Sequence, residues 1–190
     1  MPGSRRQERK RFARRSRLGV AAGTRRPYVC HVSTDGFAAA VVHEDGKWRC
    51  SLLAEELLDD LDGVITALRR VSAAGAVFAM LAVDDEFFVI VRPIPGGASL
   101  LLSDATAALD YDIAADVLDL LHVPVPDDED VEDEPPWAEG DLGLLADFGV
   151  PVEQMQVIVD EEDLYPDEQL QMIAESCGFA EEFAAATEKS

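Results

Sequence analysis

Three cysteines, three histidines and a large excess of carboxylates are the residues of this 190-residue chain whose chemistry could build a site. Cys30, Cys50 and Cys177 stand at no spacing that holds a metal, and an odd number does not make a disulfide framework. Cys50 and Cys177 read as small apolar core residues, with a reactive thiol as the rarer alternative. His43 falls at a strand end beside a hairpin, and His122 at a helix end before Pro124. Capping or surface roles suit both better than catalysis. His31 lies in an atypical N-terminal segment.

The carboxylates could supply an acid/base pair or bind calcium. An EF-hand needs a Gly at its sixth position and a Glu at its twelfth, and Asp128, Asp130 and Glu132 lack that Gly. A glycosidase-type pair needs a cleft that raises one pKa, and nothing in the spacing singles out such a pair from a solvated acidic surface. The chain has no HExxH, GxSxG or GxxxxGK[ST]. The expectation is therefore a protein without a catalytic site, cofactor or metal.

The charge is formally -22, from 16 Lys and Arg against 38 Asp and Glu. A polyanion would repel such a body, so it does not read as a nucleic-acid binder taken whole. The average hides a split. Residues 1–30 hold ten basic residues and one acid, for +9, and the other 160 residues carry -31. Residues 1–33 have few large apolar side chains and read as a disordered basic tail. It could be an RNA-binding arm, a transit-like leader, or upstream sequence translated from a misplaced start. Val32 followed by Ser33-Thr34-Asp35-Gly36 would make an ordinary bacterial N-terminus.

Hydrophobic residues make up 48% of the chain, enough to bury a core. No apolar run reaches the roughly 18 residues of a membrane helix, and a cytoplasmic protein is expected. Phe37–His43 reads as a buried strand, Asp45-Gly46 as a hairpin turn and Trp48–Leu53 as the return. Leu57, Leu61, Val64, Ile65, Leu68 and Val71 recur at helical spacing. Val77–Val83 is continuous enough for a central strand. Phe87–Val91 and Ser99–Ser103 follow, with Pro93–Gly97 as the turn between them. Asp104 caps the next helical stretch, which Asp110-Tyr111-Asp112 interrupts.

The order ββαβββα over residues 35–126 makes an α+β domain, with a mainly antiparallel sheet and helices on one face. Residues 127–134 are acidic at seven of eight positions and, with Pro135-Pro136, read as an extended linker over 127–136. Residues 137–188 form a small all-helical segment of three or four short helices.

Gly140-Asp-Leu-Gly-Leu-Leu-Ala-Asp-Phe-Gly149 is the most specific string in the chain. With Phe37–Trp48, Leu102-Ser103-Asp104-Ala105 and Leu164-Tyr165-Pro166-Asp167, it resembles the tRNA adenosine deaminase-associated protein family of high-GC Gram-positive bacteria. The resemblance spans roughly residues 35–185 and leaves residues 1–33 without a counterpart. It implies an accessory protein of a tRNA adenosine deaminase, brings no catalytic residues with it, and makes that deaminase the suspected partner. The chain lacks the His-x-Glu and Pro-Cys-x-x-Cys of a zinc deaminase, so it is not expected to deaminate.

Docking on a basic surface would use Asp127, Asp128, Glu129, Asp130, Glu132, Asp133 and Glu134, with Trp137 and Asp141 beside them. In the plainer alternative Trp137 packs the linker onto the sheet and the acids are merely solvated. Three other functions compete. A small-molecule or redox enzyme would need a pocket with convergent polar groups. RNA binding would run through residues 1–30. Nucleic-acid mimicry by the acidic body is the third.

Overall fold

A computed structural model of the chain describes residues 35–71, 75–127 and 135–188. Six strands form one antiparallel sheet in the order β2-β1-β3-β4-β5-β6. They are β1 (Gly36–Glu44), β2 (Lys47–Leu52), β3 (Ala76–Val83), β4 (Phe87–Ile94), β5 (Gly97–Leu102) and β6 (Glu139–Gly140). Asp45 and Gly46 both take positive φ, the twist a two-residue hairpin needs, as the Asp-Gly pair predicts. The α+β class and the order of the first seven elements agree with the sequence reading.

Two details differ. Pro93 lies within β4, opposite Ala98, and not in a turn. Proline has no N–H to give a ladder, and β3 pairs with β4 only as far as Val91, so Pro93 interrupts no bond between those two strands. The second is β6, a two-residue strand placed by Gly140. Its φ is +113°, and any Cβ there would press into the Leu100 carbonyl.

Both faces of the sheet are covered. On one face lie α1 (Leu61–Arg70), a 3₁₀ turn at Glu55–Asp59, a second at Ala105–Leu109, and α2 (Asp112–Leu121). Asp60 caps α1 by accepting the Gly63 N–H at 2.8 Å, and Leu61, Val64, Ile65 and Leu68 are its buried face. Asp104 accepts both the N–H and the hydroxyl of Thr106, at 3.0 and 2.7 Å. These helices pack on Ala79, Leu81, Val83, Val89 and Val91.

The opposite face carries Ala39, Val41, Phe78, Met80, Phe88, Ile90 and Leu101. It is roofed by α3 (Val152–Val159), α4 (Pro166–Cys177) and α5 (Ala180–Thr187), through Met155, Leu170, Ile173, Phe179 and Phe183. Helices of 8 to 12 residues are marginal in water alone, so the sheet stabilises them as much as they cover it.

Arg92 pins the approach to this roof. Its guanidinium donates to both Asp147 carboxylate oxygens at 2.6 and 2.7 Å and to the Leu144 carbonyl at 2.6 Å. It also lies 5.1 Å from the centre of the Phe148 ring. Arg92 holds the Asp147 carboxyl below its ordinary range, first through the hydrogen bond and then through charge.

Two outcomes follow. A chain ending at residue 127 leaves the Phe78 face bare, so it should aggregate and bind an apolar dye; a dispersed NMR spectrum of that fragment would contradict the packing. Arg92→Met should cost about 1–3 kcal/mol at pH 7, because Asp147 and the Leu144 carbonyl lose a charged donor. Asp147 has its pKa lowered by folding, so this stabilisation is present above the unfolded value near 3.9 and is lost as pH falls through the lower folded value. The gap between the urea midpoints of the two proteins should therefore be smaller at low pH than at pH 7, with a remainder from the Leu144 and Phe148 contacts.

Candidate functional site

The residues that the sequence marks for partner contact occupy unlike positions. Asp127 is exposed at the end of a described stretch. Asp128, Glu129, Asp130, Glu132, Asp133 and Glu134 lie outside the described residues. Trp137 is half-buried against the α1/α2 core, its indole N–H donates to Glu139 Oε1 at 3.2 Å, and its carbonyl accepts the Ala105 N–H at 2.8 Å. Asp141 accepts the Ser99 hydroxyl at 2.8 Å and the Gly143 N–H at 2.9 Å. Both side chains thus have partners within the chain, and both flank β6.

The topology sorts the cations along the strands, while acids stand at both ends. β1 starts opposite Val83 and ends beside Ala76, so one end of the sheet holds the start of β1, the β3–β4 turn and the start of α1. That end carries Asp35, the acids of 55–62, Asp84, Asp85 and Glu86, and Asp110 with Asp112. On the other face α4 begins there with Asp167 and Glu168, just after the acidic run Asp160–Asp163. Tyr111 and the backbone of Asp35 both donate to Asp84, tying three of these segments together.

Lys47, Arg49, Arg69, Arg70 and Arg92 are all the Lys and Arg of the described residues, and they gather toward the opposite end. Lys47 leaves the β1–β2 hairpin, and Arg49 pairs with Glu44 at 3.0 Å. Arg69, in the last turn of α1, donates to the Gly97 carbonyl at the β4–β5 turn, 2.9 Å away. The eight residues of β3 span about 26 Å at roughly 3.3 Å each. That is about three Debye lengths at physiological salt, so the basic end does not neutralise the acidic one.

The remaining reactive types are quiet. Burial, with Glu182 adding to it, pushes the Cys50 thiol up to about 12, and burial with Asp147 does the same at Cys177. Both stay protonated at neutral pH and are poor nucleophiles. His43 stacks on Trp48 with ring centres 4.2 Å apart, and His122 ends α2 in the left-handed region. Among the described residues no three His, Cys, Asp or Glu side chains converge as metal ligands would, and no helix is long and apolar enough to cross a membrane. Sequence reasoning passed over Arg92 and Asp147, whose only signal was a lone cation in an apolar strand.

Like charge is dense around α2. Asp116 has its pKa raised, first by burial and then by Asp112, Asp62, Asp119 and Asp60. A carboxyl raised in the folded state destabilises it above that pKa. Asp116→Asn should therefore raise stability at pH 7 by about 0.5 kcal/mol in dilute buffer. The gain should shrink in about 1 M salt, where the screening length is about 3 Å. Thermal melts at the two ionic strengths measure both.

No solved structure matches this chain. Protein Rv3753c of Mycobacterium tuberculosis is 57% identical to it over 155 residues, covering 82% of this chain and 89% of that protein. The model of the Rv3753c-like tRNA adenosine deaminase-associated proteins matches residues 36–180, from the first residue of β1 into α5. The chain belongs to the Rv3753c-like tRNA adenosine deaminase-associated protein family.

Proposed function

We propose that this protein is a non-catalytic, cytoplasmic accessory protein that docks by its acidic surface on a basic face of a tRNA adenosine deaminase. The observation that carries the reading is the separation of charge, with an acidic end that has no Lys or Arg among the described residues. A deaminase that takes tRNA has to attract phosphate, so its RNA face supplies the complementary sign. The family's description as deaminase-associated supports the same partner. The run 127–134 adds seven acidic residues in sequence, and the protonated thiols favour a binding role over a chemical one. Trp137 and Asp141 contribute by holding the chain that follows this run against β5.

Charge complementarity sets encounter rate and orientation more than final affinity. The full chain should bind the deaminase of its own organism. The association rate should fall about tenfold or more between roughly 50 and 500 mM NaCl, while dissociation changes little. Surface plasmon resonance across that range reads both rates. No binding at the lowest salt would sink the proposal, and so would an association rate indifferent to salt.

A further inference from the structure

The geometry points to one seat on the acidic end. We infer that the groove between α4 and α5, where β1 begins, receives a basic segment of the partner protein. The inference rests on the accessory function proposed above and adds a location to it.

The groove encloses about 460 Å³, within the range of roughly 300–1,000 Å³ for binding clefts. Phe37 and Phe183 form its floor, their ring centres 5.7 Å apart and edge to face. Phe183 is buried, whereas Phe37 remains partly exposed. Asp167, Glu168 and Glu188 stand around this apolar floor. A second groove of about 380 Å³ lies across β1, shares Phe37, and is flanked by Asp35 and Glu55. Phe37 is thus a ridge between two acid-rimmed hollows.

The helix ends do not alter the sign. α4 begins at the groove and contributes about +0.5 charge, and α5 ends there with about -0.5. These offset each other and leave three carboxylates. Glu168 also caps α4 by accepting the Tyr165 N–H at 2.9 Å. An arginine suits this setting best among common side chains. Its stem lies on apolar surface, its planar cation stacks on an aromatic ring, and its fork meets carboxylates. The five Lys and Arg of the described residues lie at the other end of the sheet, so none of them fills the seat.

The test mixes the full chain with the deaminase and joins touching carboxylates to lysines with a carbodiimide. Asp167, Glu168 or Glu188 should be linked to deaminase lysines that neighbour the seated arginine in the same basic segment. Asp167→Lys with Glu188→Lys should weaken binding at least tenfold. Asp119→Lys with Glu175→Lys, the same charge change at the last turns of α2 and α4, should weaken it less than about threefold. Thermal melts confirm that each variant is folded. Equal losses from the two pairs would overturn the seat while leaving charge-driven docking intact. Links to this chain's own Lys10 would give the groove to the N-terminal segment. Links to Lys47 of a second copy would give it to a dimer. Either result would overturn the assignment. Wild-type chain that binds no deaminase would remove the accessory function itself, and the seat with it.

Discussion

A sheet that is apolar on both faces governs this molecule. Along β3 the side chains alternate, with Phe78, Met80 and Ala82 toward one layer and Ala79, Leu81 and Val83 toward the other. β4 does the same with Phe88 and Ile90 against Phe87, Val89 and Val91. Burying one such aromatic or aliphatic side chain stabilises by about 1.5–3 kcal/mol, so neither face tolerates water. The first 90 described residues supply only one covering layer. The other must come from the C-terminal helices, and chain connectivity brings them back by way of β6, Asp141 and the Arg92–Asp147 pair. That return cannot be replaced by better helices alone, because none of them is long enough to persist by itself.

Much of this was legible. The continuous apolar run of Val77–Val83 announced a strand buried on both faces, since a half-exposed strand would alternate with polar residues. The Asp-Gly hairpin, the Asp104 cap and the α1 stripe each have a local cause and appear where the pattern puts them, except that Leu57 falls in the 3₁₀ turn before α1 and Val71 caps its end. What escaped has a non-local cause. Pro93 sits in a strand only because β3 stops pairing before it. β6 has two residues and no periodicity to detect, and its place follows from Gly140 passing close to the Leu100 carbonyl. Arg92 looked like an isolated cation until folding brought Asp147, 55 residues later, within reach.

The candidate site was legible in its sign and not in its shape. Composition alone says that residues 35–190 are strongly acidic. It does not say that the antiparallel order gathers the start of β1, the β3–β4 turn and the starts of α1, α2 and α4 at one end. Acids favour helix N-termini and tight turns for reasons of capping and dipole, and here four helix or strand starts coincide. The polarity of the molecule is in that sense a product of ordinary local preferences added up by topology. Trp137 shows the converse. A lone aromatic beside an acidic run reads either as a partner contact or as a residue packing the linker, and its indole and carbonyl both fasten the chain.

Self-repulsion limits how far such polarity can go. Asp116, with its pKa raised in part by four neighbouring carboxylates, marks where the fold already bears that strain. Asp60, Asp84 and Glu168 fasten local structure through their hydrogen bonds, while the like charge around them repels. Charge alone, however, is screened over about 8 Å and gives orientation more than affinity. The partly exposed ring of Phe37 would supply the missing part in the proposed docking, because burying apolar surface stabilises a complex with little dependence on salt. Long-range attraction toward the acidic end and short-range burial in its groove then divide the work. In the proposed complex the first would set how fast the partner arrives and which way it faces, and the second how long it stays.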